Sequence, residues 1–187
     1  MTERQRRQDD PDPPVIEVVF SAEQVGQRIG MLARDIAATG VDDWLVVAIL
    51  KGSFVFAADL IRAMHGVGLE PEVDFLSLAS YGKEKASRGT VSIVRDMDLD
   101  VAGRNVLLVD DILESGRTLA FARELVTARG AQAVRTCVLL DKPGHRAIAI
   151  DADFRAFECP DVFVVGYGMD LAYRYRELPF VGHVVNR

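Results

Sequence analysis

The sequence predicts an α/β domain built on a mostly parallel, twisted sheet flanked by helices. Short apolar runs rich in β-branched residues alternate with segments whose apolar residues recur at helical spacing, and that alternation gives a parallel sheet covered on both sides. The run Val106-Leu107-Leu108-Val109 is unbroken, the pattern of a strand buried on both faces. With 187 residues and 49% hydrophobic content the chain can fill one core, and nothing argues for two domains.

Residues 1–14, in which Arg4, Arg6 and Arg7 precede Asp9-Asp10-Pro11-Asp12-Pro13-Pro14, read as a disordered tail before a single domain over 15–187. A strand is expected at 15–20. Ser21-Ala22-Glu23-Gln24 has the form of a capping box opening a helix with Val25, Ile29, Leu32 and Ile36 on one face, closed by Gly40. A continuous apolar strand follows at 44–50, a helix at 54–64 ending at Gly66, and a strand at 73–79. Residues 82–89 are polar and glycine-bounded, a mobile loop inside a lid of about 80–92. Strands are then expected at 91–94 and 106–109, a helix at 119–126 ended by Gly130, and strands at 133–140 and 162–165. After Gly168 the chain turns aromatic and irregular, with Tyr173, Tyr175 and Phe180, and should cap the sheet rather than extend it.

A formal charge of −6 argues against a polyanion-binding surface, so no nucleic acid is expected as a partner outside the arginines of the tail. No apolar run approaches the roughly 18 residues of a membrane span, and no hydrophobic segment follows Met1–Arg7 as it would in a secretory signal. Cys137 and Cys159 make no disulfide framework, which suits a reducing, cytoplasmic setting.

The chemistry concentrates after residue 109. Asp110 and Asp111 arrive at the carboxyl end of a strand, where open α/β sheets bind their ligands. Glu114-Ser115-Gly116-Arg117-Thr118 then turns into a helix whose first N–H groups and partial positive charge suit an anion, with Gly116 allowing close approach to the backbone. Paired carboxylates beside such a loop suit a phosphorylated sugar. Neither a Walker A loop nor a Gly-x-Gly-x-x-Gly fingerprint is present.

Residues 110–118, after the apolar run 106–109, read acidic-acidic, two apolar residues, one variable residue, then Ser-Gly-x-Thr. This resembles the signature of the type I phosphoribosyltransferases, which bind phosphoribosyl pyrophosphate (PRPP). Further segments extend the resemblance over residues 15–182, towards the hypoxanthine-type (6-oxopurine) members. It implies the type I phosphoribosyltransferase fold, with a core over about 21–158 and a small hood from 15–20 and 159–187. Leu50-Lys51-Gly52 is similar to the family's pyrophosphate loop, in which the peptide joining the Lys51 and Gly52 positions can be cis. Ser80-Tyr81-Gly82 resembles the head of a lid whose closure excludes water from an oxocarbenium-like intermediate. In Asp141-Lys142-Pro143 the resemblance makes Lys142 the donor to the exocyclic oxygen of the base, favouring hypoxanthine, guanine or xanthine over adenine. Within 160–170, Phe163 should stack on the purine, Val164 offer backbone groups to its edge, and Asp170 hold a magnesium ion directly or through water. The pyrophosphate-binding arginine falls at Arg176, with Arg174 its nearest competitor.

The implied reaction moves the 5-phosphoribosyl group from PRPP to hypoxanthine, with guanine and xanthine as further bases, giving IMP or GMP and pyrophosphate. Asp110 and Asp111 would hold the ribose hydroxyls, and Ser115, Gly116, Arg117 and Thr118 the 5′-phosphate, with Mg2+ as cofactor. Glu114 would be the base near N7 of the purine, where the family mostly carries the shorter Asp; Asp110 in turn stands where Glu is often found. An Arg at position 117 is shared with a related pyrimidine-operon regulator that binds PRPP. That alternative on the same fold is disfavoured by Lys142, Phe163 and the acidic charge. Association as a homodimer or homotetramer is common in the family.

Overall fold

The computed structural model describes residues 14–81 and 90–185, so the expected tail and the central part of the lid lie outside the described residues. The elements are β1 (Ile16–Phe20), α1 (Ala22–Ala37), β2 (Trp44–Leu50), α2 (Phe54–Gly66), β3 (Glu72–Tyr81), β4 (Thr90–Arg95), β5 (Asn105–Leu113), α3 (Arg117–Ala128), β6 (Ala133–Asp141), β7 (Phe154–Glu158), β8 (Val164–Val165) and β9 (Val181–Val184), with a 3-10 turn at Pro143–His145. α1 starts where its local chemistry says it should. Ser21 Oγ accepts the Gln24 N–H at 3.2 Å and the Gln24 side chain accepts the Ser21 N–H at 2.8 Å, closing the capping box.

Six strands form the main sheet in the order β4-β3-β2-β5-β6-β7, all parallel except β4, which runs antiparallel to β3. Only the stretch 82–89 separates β3 from β4, shorter than the dozen or so residues that a parallel crossover needs, so the strand returns beside its predecessor in the opposite sense. The continuous apolar character of β2 follows from its two covered faces. Trp44, Val46 and Ala48 join α1 and α2 in one core, whereas Leu45, Val47 and Ile49 join Leu119, Ala122 and Val126 of α3 in the other. The edge strand β7 went unforeseen because Arg155 and Glu158 are exposed and interrupt its apolar pattern.

A second, three-stranded antiparallel sheet has the order β1-β9-β8. The strand expected at 162–165 shrinks to Val164–Val165 and belongs to this small sheet. The segment between β8 and β9 lies over the end of β2, close enough that a Cβ on Gly168 would meet the Gly52 carbonyl.

The two sheet halves diverge at β2 and β5, and there the register places the functional residues. Pairing of β5 with β2 ends at Val109↔Ala48, while pairing with β6 runs on to Leu113↔Asp141. Asp110 and Asp111 therefore stand inside β5 rather than beyond a strand ending at 109, because β6 keeps that backbone extended. A crevice opens between the end of β2 and the overhang of β5, the position where doubly wound sheets hold their ligands. Among the described residues no helix is long and apolar enough to cross a membrane.

Candidate active site

Two adjoining hollows occupy the crevice. One, of about 500 Å³, is lined by Lys51, Gly52, Asp111, Phe163, Val164, Met169, Asp170 and Arg176 among others. The other, of about 210 Å³, is lined by Asp110, Leu113, Glu114, Ser115, Gly116 and Thr118. Ile112 belongs to both walls. Residues predicted from four separate stretches of sequence thus meet in one place. Arg117 begins α3 with its N–H 3.4 Å from Ser115 Oγ, and lines neither hollow. Ser80 and Tyr81 end β3, paired with Val91 and Thr90.

The loop after β2 carries a cis peptide at Leu50–Lys51, one bond earlier than the family resemblance implied for Lys51–Gly52. Gly52 is where this backbone lies against Asp111: a Cβ there would overlap the Asp111 carboxylate, so the turn that brings the loop in is made upstream of it. Lys51 Nζ sits 5.7 Å from the centre of the Tyr173 ring.

Asp110 and Asp111 are held by backbone donors. The Asp111 N–H reaches Asp110 Oδ1 at 3.0 Å and the Ile112 N–H reaches Asp111 Oδ1 at 2.8 Å. Burial raises the pKa of both carboxyls, and for Asp110 the neighbouring Asp111 charge raises it further. The folded pair consequently keeps a proton at pH values where the unfolded chain has released it, and stability falls as pH rises through that interval. Asp110→Asn removes the penalty. It should stabilise the protein by about 1 kcal/mol, roughly 2–4 °C in Tm, at about pH 8 and by less at about pH 5. Thermal melts at the two pH values check this; a gain independent of pH would exclude charge as its cause.

The phosphate loop is built around Gly116, the residue preceding α3, with φ 80°. A Cβ there would be 2.7 Å from Ile148 O and 2.8 Å from Ile150 Cγ2, so both the left-handed backbone and the close packing require glycine. Ala147 and Ile148 N–H groups donate to the Ser115 carbonyl at 2.9 and 3.1 Å, fastening the following loop over this turn. Gly116 has no side chain to cap α3, and beyond the Arg117 N–H on Ser115 Oγ the helix start at Thr118 and Leu119 lines the smaller hollow, where it suits an anion.

On the other side of Glu114 lies Lys142, 6% exposed, with Nζ 3.4 Å from Glu114 Oε1 and its backbone N–H 2.9 Å from Leu113 O. Val164 pairs with His183 in β8, the edge strand of the small sheet, so one side of its backbone is turned from the ladder. Arg176 donates to Gly168 O at 2.5 Å and pairs with Asp170 Oδ1 at 2.6 Å, while Asp170 Oδ2 accepts the Tyr173 N–H at 2.7 Å. Arg174 instead lies 5.7 Å from the Tyr175 ring centre and lines neither hollow. Of the two candidate arginines, Arg176 is the one in the cleft.

Other residues reach the site without any sequence pattern to flag them. Met169 lines the larger hollow. His145 Nε2 lies 2.8 Å from Asp161 Oδ1, and ligand atoms of Glu114, His145 and Asp161 all fall within 4.8 Å of one another. Arg146 reaches back to the carbonyls of Leu113 and Glu114. The only available signal for this last residue was its charge four places after Lys142.

A family model described as the phosphoribosyl transferase domain matches residues 17–172. The chain is 41% identical over 173 residues to a hypoxanthine phosphoribosyltransferase of Escherichia coli, covering 91% of this chain and 96% of that protein. It is 42% identical over 166 residues to a hypoxanthine-guanine phosphoribosyltransferase of Bacillus subtilis, covering 88% and 91%. A crystal structure of a hypoxanthine-guanine phosphoribosyltransferase from Bacillus anthracis superposes with a TM-score of 0.84 at 40% identity, covering 90% of this chain and 98% of that one.

Proposed function

Because the chain belongs to the phosphoribosyltransferase family, on the side of its hypoxanthine-type members, we propose that it transfers the 5-phosphoribosyl group from PRPP to hypoxanthine, giving IMP and pyrophosphate. Guanine and xanthine are further bases of the same class. The observation that carries this reading is the meeting, at one crevice, of an acidic pair, an uncapped helix start and a buried lysine. They suit a ribose, its phosphate and a 6-oxo group.

In the reaction the bond from the anomeric carbon to pyrophosphate breaks, a bond to purine N9 forms, and the N7 proton departs. Asp110 and Asp111 accept hydrogen bonds from the ribose 2′ and 3′ hydroxyls and stabilise positive charge at the anomeric carbon. The loop from Ser115 to Thr118 takes the 5′-phosphate on its N–H groups, with the Ser115 and Thr118 hydroxyls as added donors and Arg117 at its edge. Lys51, Gly52 and Arg176 receive pyrophosphate, the arginine by parallel donation to two oxygens. Lys142 donates to the exocyclic oxygen, Phe163 stacks, and Val164 contributes backbone groups to the base edge. Glu114 takes the N7 proton. Ser80 and Tyr81 begin the lid that excludes water.

Asp111 and Asp170 line the same hollow and offer the hard oxygen donors that suit Mg2+. Both oxygens of Asp170 are already engaged, one by Arg176 and one by the Tyr173 N–H, so this residue fits an ion held through water better than one bound directly. Magnesium, when bound, neutralises charge on the leaving pyrophosphate. Two buried free cysteines support a cytoplasmic setting, and the family resemblance supports association as a homodimer or homotetramer.

The test is nucleotide formation by purified protein with PRPP, magnesium and each of hypoxanthine, guanine, xanthine, adenine and uracil, followed optically. Turnover with the 6-oxopurines and little with adenine is expected. No turnover with any base would refute the enzymatic reading, and turnover with uracil alone would favour the regulator class.

A further inference from the structure

The last rung between β5 and β6 is Leu113↔Asp141, and immediately beyond it the two strands deliver Glu114 and Lys142. Beyond that rung the ladder continues only through the Lys142 N–H, 2.9 Å from Leu113 O. One guanidinium ties both residues. Arg146, brought back towards the strand ends by the 3-10 turn at Pro143–His145, donates through Nη1 to the carbonyls of Leu113 and Glu114, each at 2.6 Å, and of Lys142 at 3.0 Å. Its Nε reaches Ile150 O at 3.3 Å, and its Nη2 pairs with Asp141. Asp141 is 4% exposed, and its second oxygen takes Arg155 at 3.0 Å, so the carboxylate that anchors the guanidinium is itself fixed.

We infer that Arg146 is a positioning residue that couples proton transfer to purine selection, by holding the backbone of Glu114 and of Lys142 on a single side chain. The inference rests on the reaction proposed above. Lys142 is fixed at both ends of its own residue, its N–H on Leu113 O and its carbonyl on Arg146. Glu114 has one such tie, its carbonyl, and its longer side chain swings from that pivot to meet Lys142 Nζ. The guanidinium spreads its five N–H donors over three nitrogens, Nη1 sharing its two hydrogens among three carbonyls while Nε and Nη2 reach Ile150 O and Asp141; a single ammonium nitrogen on a flexible stem cannot reach all five acceptors. Removing the fork therefore frees both pivots together, and a misplacement of about 1 Å at reacting groups can cost up to roughly 10²-fold in rate. The PRPP side has ties of its own, through Asp110, Asp111 and the end of β2 and, at the 5′-phosphate loop, through the Ala147 and Ile148 N–H groups on the Ser115 carbonyl.

Arg146→Lys tests this. Against the wild-type enzyme, kcat with hypoxanthine should fall about tenfold or more and discrimination against adenine about fivefold, with the KM for PRPP within about twofold. Arg155→Ala, which loosens Asp141 but leaves the carbonyl contacts, should stay within about twofold on both measures. Lys142→Ala should relax adenine discrimination by itself, and Lys142→Ala/Arg146→Lys should discriminate no worse than Lys142→Ala alone while losing kcat further, because Arg146 acts on selection through Lys142 and on proton transfer through Glu114. Should Arg146→Lys not fold, Arg146→Gln measured with and without added ethylguanidinium replaces it, with rescue of kcat expected. A lowered Tm with kcat and discrimination unchanged, additive losses of discrimination in the double variant, or no rescue would each overturn the assignment. An active wild type with an indifferent Arg146 variant tells against Arg146 alone, whereas an inactive wild type removes the proposed reaction and this inference with it.

Discussion

Glu114→Gln should lower kcat with hypoxanthine by about 10²–10⁴-fold while leaving PRPP binding nearly intact. The substitution preserves shape, and the side chain is 44% exposed, so the fold has little to lose. What it removes is the ability to accept a proton. An amide beside the purine N7 can donate or accept a hydrogen bond, but it cannot carry the proton away as the new glycosidic bond forms. Lys142, 3.4 Å away, cannot substitute: a protonated ammonium is a donor only, and it is already assigned to the exocyclic oxygen. Single-turnover rates separate the chemical step from product release. An unchanged rate would mean the N7 proton leaves by another route, and Glu114 would then be a mere neighbour of Lys142. Glu114→Asp, which installs the residue that the family mostly carries, should by contrast retain activity within about tenfold, since the carboxylate is kept and only its reach is shortened.

Gly52→Ala should cut kcat/KM for PRPP by about 10²-fold, equivalent to roughly 3 kcal/mol of transition-state stabilisation, with little loss of thermal stability. Most glycine substitutions act through backbone strain. This one acts on a neighbour. The added methyl would occupy the position of the Asp111 carboxylate, and either that side chain rotates or the Lys51–Gly52 backbone retreats. On the proposed reading, the first outcome withdraws an acceptor from the ribose hydroxyls and the second displaces the donors facing pyrophosphate. Both hold the same substrate, so PRPP suffers whichever gives way, whereas the purine side, built on Lys142 and Phe163, is touched only indirectly. Steady-state kinetics with each substrate varied in turn check the asymmetry. Equal losses for PRPP and hypoxanthine would show that the methyl group disturbs the whole crevice.

Much of the architecture could be read from local signals. The capping box at Ser21, the doubly buried run of β2 and the sequence from Asp110 to Thr118 each state their structure within a few consecutive residues, where propensity and hydrogen-bonding chemistry act at short range. Strand ends were less legible. β5 continues to Leu113 only because β6 pairs with it there, a fact of the partner strand that residues 110–113 do not themselves encode. β7 and β9 escaped notice for related reasons: one carries charges at a sheet edge, and the other is four residues long with a glycine in it. Within the site, residues on motifs were found and residues on the connecting loops were not. Arg146 binds carbonyls more than thirty positions earlier, and His145 meets Asp161 across a strand and two turns. Such contacts depend on how loops pack, and no periodicity announces them.

The small antiparallel sheet adds a constraint in time. β9 is synthesised after both β1 and β8, yet it lies between them and is the strand to which each pairs. During translation the main sheet can assemble as its strands emerge, since each already has a neighbour made before it. The edge that carries Val164 has no such neighbour until residues 181–184 leave the ribosome. On the proposed reading, a nascent chain can complete the strands that carry Asp110, Asp111 and Lys142 before it can fix the one that offers Val164 to the base, so that edge of the purine site forms only once β9 has paired.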